Sequence, residues 1–100
     1  MSYRENNMKL IQTSKRDEGN IVDIASQHKR KGYTGGSICY RNQQDTVLAR
    51  AALLTTKFND KVAFCEADQH NYIVISTKSS ADEFAIRHRV DELRPLIFPG

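Results

Sequence analysis

The sequence has no tryptophan, only two cysteines and only two prolines among its 100 residues. Cys39 and Cys65 form no Cys-x-x-Cys pair, which removes the usual redox motif and the usual half of a zinc site. A chain with ample apolar content needs no disulfide to compensate for a thin core, so we expect both thiols to be reduced. With proline only at positions 95 and 99, no proline-rich linker divides the chain.

Long apolar runs are also missing. The longest uncharged one, residues 51–56, is far shorter than the roughly 18 to 20 residues that a membrane-spanning helix needs. Residues 1–7 are polar and lead into no apolar stretch, so they lack the order of a secretory signal. We therefore expect a cytoplasmic protein that does not contact the membrane.

The composition is that of one compact domain. Apolar residues make up 39% of the chain and charged residues 27%, which is enough apolar surface for a core. We predict a single domain over residues 1–100. It consists of a less regular N-terminal part (1–36), a core (37–94) and an apolar tail (95–100).

The N-terminal part contains two segments with a regular pattern. Residues 8–14 alternate weakly and predict a short strand that ends in the turn-rich residues 15–19. Residues 20–31 predict a helix capped by Asn20, because an acidic residue lies in the first turn and cations lie in the last turn. A hairpin that pairs residues 8–14 with residues 20–26 is the alternative.

The core predicts the order strand, helix, strand, strand, helix. The strands are residues 37–41, 61–66 and 71–77, the last two forming an antiparallel hairpin. Asn42 caps a helix over about 43–58, whose buried stripe is Val47, Ala51, Leu54 and Phe58, widened by Leu48 and Ala52. The fold class is therefore α+β, a small three- to four-stranded sheet with two or three helices packed on one face.

The last helix has its own start and stop signals. Ser80 and Glu83 predict a capping box, and Pro95 predicts the end of the helix after Arg94. Its buried stripe is Ile86, Val90 and Leu93. The residues Leu96, Ile97 and Phe98 then form an extended tail, which either covers the sheet or presents an apolar patch to a second copy or another protein.

Positive charge is concentrated in the front of the chain. The net charge is +3, with eight Lys/Arg against four Asp/Glu in residues 1–41 and seven against eight in residues 42–100. This asymmetry favours an anionic partner such as nucleic acid.

The strongest candidate site combines these cations with a glycine-rich segment. Lys29, Arg30 and Lys31 precede three glycines in residues 32–36. Cations displace counterions from phosphates, glycine N–H groups can approach an anion, and Tyr33 could stack on an unpaired base. Arg41 extends the predicted nucleic-acid-binding set, with Lys15 and Arg16 as outer contacts. In the alternative interpretation, the same residues form only a helix end, a glycine cap and a packed tyrosine.

Other candidates have weaker patterns. Arg87, His88, Arg89 and Arg94 are typical of a solvated helix face offset by nearby acids. Cys65, Asp68 and His70 match no dependable metal-ligand spacing. The sequence has no nucleophile elbow, paired-carboxylate signature or cofactor fingerprint. We expect no metal, no cofactor and no catalytic residues.

The sequence therefore predicts a non-enzymatic accessory or regulatory protein that contacts the nucleic-acid backbone through its basic, glycine-rich segment. The alternative is a regulator or inhibitor that occupies a partner protein through Leu96, Ile97 and Phe98 or a sheet edge, or that forms a homo-oligomer. A third hypothesis is a small-molecule or nucleotide binder that uses the same glycine-rich loop.

Overall fold

A computed structural model of the chain describes residues 8–13, 21–67 and 72–100. In these residues the elements follow one another as β1 (Leu10–Gln12), α1 (Ile21–Arg30), β2 (Gly36–Tyr40), α2 (Gln43–Thr55), β3 (Val62–Ala67), β4 (Tyr72–Thr77) and α3 (Ser80–Ile97). The predicted α+β class is confirmed. Every helix among the described residues is too short or too polar to traverse a lipid bilayer.

The four strands form one mixed sheet in the order β1-β3-β4-β2. β4 is antiparallel to both of its neighbours, which confirms the predicted hairpin of β3 and β4. β1 instead lies parallel to β3, with Ile11 opposite Ala63. The alternative hairpin within the first 26 residues is wrong, because Ile21–Arg30 is helical and β1 takes its partner from β3. β2 is left at one edge of the sheet.

The two faces of the sheet have separate cores, because successive side chains of a strand point to opposite faces. Ile38, Ile73 and Ile75 pack with residues of α2 and α3, so two helices cover one face as predicted. Val74 and its neighbours on the other face pack against Ile24 of α1. The third helix thus covers the opposite face, and the central strand β4 is buried along its whole length.

The start of α2 agrees with the sequence, and its buried stripe agrees in part, since Leu48 and Ala52 are buried as predicted. The Asn42 side chain accepts a hydrogen bond of 2.8 Å from the Asp45 N–H, so the predicted cap is confirmed. The fully buried positions are Thr46, Leu48, Ala49, Ala52 and Leu53. The predicted Val47, Ala51 and Leu54 are only partly buried. Small and polar residues let the helix approach its neighbours closely. A prediction from the spacing of apolar residues alone does not mark such positions as buried.

The end of α2 also comes earlier than predicted. The helix stops at Thr55, and Phe58 is 2% exposed from the loop that follows it. Phe58 therefore belongs to the core, as predicted, although it does not belong to the helix.

Both ends of α3 differ from the prediction. Its N-cap is Ser79, whose side chain accepts from the Asp82 N–H at 3.2 Å, so the cap lies one residue before the predicted Ser80. Ile86 and Val90 are buried and Leu93 packs against them, as predicted. The helix continues through Pro95 to Ile97.

The helix tolerates Pro95 because the backbone bond that proline removes lies on the exposed side. Both Pro95 and Asp91, whose carbonyl loses its donor, are exposed to water. The next turn is held by the Phe98 N–H, which donates to the Arg94 carbonyl at 2.9 Å, and Phe98 packs against the core. The predicted extended tail after Arg94 is therefore wrong: residues 95–97 are helical.

One buried carboxylate joins α3 to the loop between α2 and β3. Asp82 is 1% exposed and accepts from the Asn59 N–H at 3.0 Å, the Asn59 amide at 3.2 Å and the Asp60 N–H at 3.1 Å. These bonds satisfy loop donors that have no strand or helix partner.

We expect Asp82→Ala to lower the free energy of unfolding by about 2 to 3 kcal/mol, because it removes three hydrogen bonds to a buried carboxylate. Urea denaturation followed by circular dichroism measures the change. Asp91→Ala, which removes an exposed carboxylate from the same helix, is the control and should lose far less. Equal losses in the two variants would contradict a bracing role for Asp82.

Candidate nucleic-acid interface

The predicted basic segment forms the last turn of α1 and the residues that follow it. The Lys31 N–H donates to the Gln27 carbonyl at 3.1 Å, and the Tyr33 N–H donates to the His28 carbonyl at 3.0 Å. Gly32 has a φ of +101°, a conformation that lets the chain turn out of the helix and that glycine adopts without strain. Lys29, Arg30 and Lys31 are all exposed at this end.

The cations of α1 differ from those of α3 in their partners. Arg87 contacts Glu83 at 3.1 Å, Arg89 contacts Glu92 at 3.4 Å, and Arg94 contacts Asp45 at 2.7 Å. These α3 arginines form the offset, solvated face that the sequence predicted. In the part of the chain that the structure describes, no carboxylate forms an ion pair with Lys29, Arg30 or Lys31. Their positive potential is directed into solvent.

Tyr33 lies beneath this surface instead of on it. It is 8% exposed, and its ring meets the His28 ring edge-on with the centroids 6.3 Å apart. The Lys78 ammonium lies 5.3 Å from the centroid of the Tyr33 ring, a distance at which cation and ring attract. A ring so placed offers no free face to a base, and the stacking predicted for Tyr33 has no support in the geometry.

Lys78 is a basic residue that the sequence analysis did not select. It lies 47 positions after Lys31 in the sequence, directly after β4, and the fold brings it beside Tyr33. No local charge run marks it, because its sequence neighbours are serine and threonine. It adds a fourth cation to the end of α1.

The glycines of the loop serve close packing. The Gly35 N–H donates to the Thr77 carbonyl at 2.7 Å, so it is not available to an anion. A side chain at Gly35 would collide with the backbone of Lys78 and Ser79, and one at Gly36, whose φ is +142°, would collide with the Glu83 carboxylate. The predicted role in anion approach is therefore replaced, at Gly35, by the docking of the loop onto the start of α3.

A cleft runs between α1 and the edge strand β2. Its larger part is a groove of about 410 Å³ lined by Ile21, Val22, Ala25, Ser26, Lys29, Ser37, Ile38, Cys39 and Val74. A notch of about 140 Å³ adjoins it, lined by Lys29, Tyr33, Thr34, Gly36 and Ser37. Sequence reasoning missed this cleft, because its two walls come together only through the strand order of the sheet.

Arg41 lies beside the groove, on the strand side. It follows β2 directly, and its side chain is close enough to the Cys39 thiol, which lines the groove, to influence the pKa of that thiol. Burial raises the pKa of the Cys39 thiol, while the neighbouring Arg41 side chain acts in the opposite direction. The structure thus places the predicted cations Lys29 and Arg41 along the same cleft.

Beneath α1, a polar network links the helix to three strands. His28 is 1% exposed; its Nδ1 lies 2.8 Å from Ser76 Oγ and its Nε2 lies 3.0 Å from Thr13 Oγ1. Ser76 Oγ is also 2.8 Å from Ser37 Oγ. Since the Thr13 hydroxyl donates to the Phe64 carbonyl, the network is satisfied by a neutral imidazole that donates from Nε2 and accepts at Nδ1.

The remaining predicted residues lie elsewhere or outside the described residues. Lys15 and Arg16, in the range 14–20, lie outside the described residues. Asp68 and His70 of the weak metal candidate also lie outside them. Leu96 is 75% exposed and Ile97 is 40% exposed, whereas Phe98 packs against the core. Cys39 is half-buried and Cys65 is buried.

No arrangement for metal binding is present in the described part of the chain: no three His, Cys, Asp or Glu residues there are grouped to hold an ion. Comparison of the chain with protein-family models, with curated proteins and with solved structures gives no match. The function therefore has to be inferred from the surface of the protein itself.

The buried His28 predicts a pH-dependent stability. Burial, and next the charge of Lys31, lower the pKa of His28 below its ordinary value of 6.5. The unfolded chain then binds more protons than the folded one as the pH falls below about 6.5, so stability is lost over that range and levels off below the folded-state pKa.

Thermal denaturation as a function of pH measures this loss. Replacing His28 by glutamine should flatten the part of the profile just below pH 6.5, since 6.5 is the pKa at which the unfolded histidine takes up its proton. A wild-type profile that is flat in this range would contradict the assignment of a neutral imidazole.

Proposed function

We propose that this protein is a non-enzymatic binding module that contacts the phosphate backbone of a nucleic acid through Lys29, Arg30, Lys31 and Arg41. The observation that carries the proposal is that the α1 cations are exposed and form no ion pair with a described carboxylate. The α3 arginines, by contrast, are matched by acids. Unpaired exposed cations are the groups that release counterions from phosphates.

The arrangement of these cations also supports a backbone contact. Successive helical residues point about 100° apart, so Lys29 faces the cleft while its two neighbours extend the positive surface around the helix end. Lys78 adds charge at the same end. A surface of this kind recognises an extended polyanion without reading a sequence.

Charge removal at two matched places tests the proposal. The triple variant Lys29→Gln, Arg30→Gln, Lys31→Gln and the triple variant Arg87→Gln, Arg89→Gln, Arg94→Gln each lower the net charge from +3 to 0. We expect the α1 variant to lose most of its affinity for a single-stranded oligonucleotide and the α3 variant to keep its affinity. Fluorescence anisotropy at low salt measures both.

Salt dependence gives a second readout of the same variants. Four phosphate contacts predict a slope of about −3 for the logarithm of the binding constant against the logarithm of the salt concentration, at about −0.7 per contact on a single strand. The α1 variant should lose about two units of that slope. Equal effects of the two variants would show that net charge, and not the α1 surface, governs binding.

A second candidate function is protein binding through the end of α3. Its support is the exposed apolar pair Leu96 (75%) and Ile97 (40%), which the continued helix carries into solvent. Because Phe98 packs against the core, deleting residues 96–100 would remove core contacts together with the exposed pair. Point substitutions separate the two.

If α3 mediates self-association, the variant Leu96→Gln, Ile97→Gln should be monomeric and the wild type dimeric in sedimentation equilibrium. Met8→Gln, which changes a residue that is 79% exposed, should leave the wild-type mass. A wild-type protein that stays monomeric at high concentration would remove the homo-oligomer form of this candidate.

A further inference from the structure

The groove and the notch between α1 and β2 share two residues. Lys29 and Ser37 line both of them, one from the helix and one from the edge strand. A ligand in the groove can therefore extend into the notch, since only the Lys29 and Ser37 side chains of the described residues lie between the two. The two cavities act as two parts of one cleft.

The notch has the chemistry of a phosphate site. Lys29 supplies a positive charge, and the exposed Thr34 supplies a hydroxyl group. The Ser37 hydroxyl donates to Ser76 and lines the notch without offering a hydrogen to an anion. Ammonium and hydroxyl groups are common partners of phosphate oxygens. In the described part of the chain, Lys29 has no carboxylate as an ion-pair partner, so its charge is available to an anion.

The groove has a different chemistry, because its walls are mainly apolar. Ile21, Val22 and Ala25 line it from α1, and Cys39 and Val74 line it from the sheet, whereas the Ile38 side chain packs on the opposite face. Its volume of about 410 Å³ lies within the usual range of roughly 300 to 1,000 Å³ for sites that enclose a small molecule. Apolar walls of this kind can hold the faces of a planar base once it is unstacked.

From this juxtaposition we propose that the cleft binds one unpaired nucleotide of a single-stranded nucleic acid, with the phosphate in the notch at Lys29 and the base in the groove. The inference rests on the proposed function and makes it specific for single strands. A duplex keeps its bases paired and stacked, so it can use the exposed cations but not the groove.

Cys39 makes the groove accessible to a direct test. It lines the groove and is partly exposed, whereas Cys65 is fully buried and should not react in the folded protein. A maleimide attached to Cys39 at alkaline pH, where the thiolate forms, would fill the space assigned to the base. Wild-type protein treated with maleimide that excess thiol has already quenched is the control, and circular dichroism checks that the labelled protein is folded.

We expect the label to weaken binding of a 20-residue oligothymidylate by about tenfold or more, as the loss of one enclosed base predicts, and to leave the weaker binding of a duplex unchanged. Wild-type protein treated with the quenched reagent should bind as before. If the labelled protein is folded and binds the single strand as tightly as the unlabelled one, the base site is refuted while the backbone contact stands. If unlabelled protein binds neither nucleic acid at low salt, the proposed function itself fails.

Protection of the thiol provides a measurement without a modified protein. Saturating oligothymidylate should slow the reaction of Cys39 with the maleimide, and a duplex that is also at saturation should not. Equal reaction rates with and without the single strand would place the bound nucleic acid outside the groove and overturn the inference.

Discussion

The placement of α1 on β4 determines where every feature of the candidate interface lies. Two side chains one turn apart make this contact. Ile24 packs with Val74, and the His28 ring is hydrogen-bonded to the Ser76 hydroxyl. Four residues of helix rise about 6 Å and two residues of strand about 6.6 Å, so the two spacings match and the helix runs along the strand in the same direction. The last turn of α1 then reaches the end of β4, where Lys78 lies.

A histidine at this contact does more than an apolar residue could. Its two ring nitrogens reach Thr13 beside β1 and Ser76 on β4, and Ser76 in turn reaches Ser37 on β2. A buried imidazole needs both partners, since an unpaired nitrogen there would cost free energy. The network therefore specifies how the helix sits across the strands, and it ends at Ser37 in the wall of the cleft.

Sequence patterns were informative where a structure depends on local periodicity. The strand Tyr72–Thr77 and the cap at Asn42 depend on near neighbours, and both appear in the fold. Thr46 and Ala49 on the buried face of α2 were missed because polar and small residues add little to an apolar pattern. The end of α3 was placed too early because the backbone bond that Pro95 removes lies on the exposed side of the helix. The cleft depends on β2 lying at an edge, which is a property of the whole sheet.

The charge pattern of the two helices has a local origin. Arg87 and Arg89 have glutamates four and three positions away, the spacings at which helical side chains meet. The residues three and four positions before Lys29, Arg30 and Lys31 carry no acid, so the helix cannot neutralise its own cations. Because the same turn borders an apolar groove that opens at a sheet edge, the proposed phosphate contacts and the proposed base site lie next to each other on one surface.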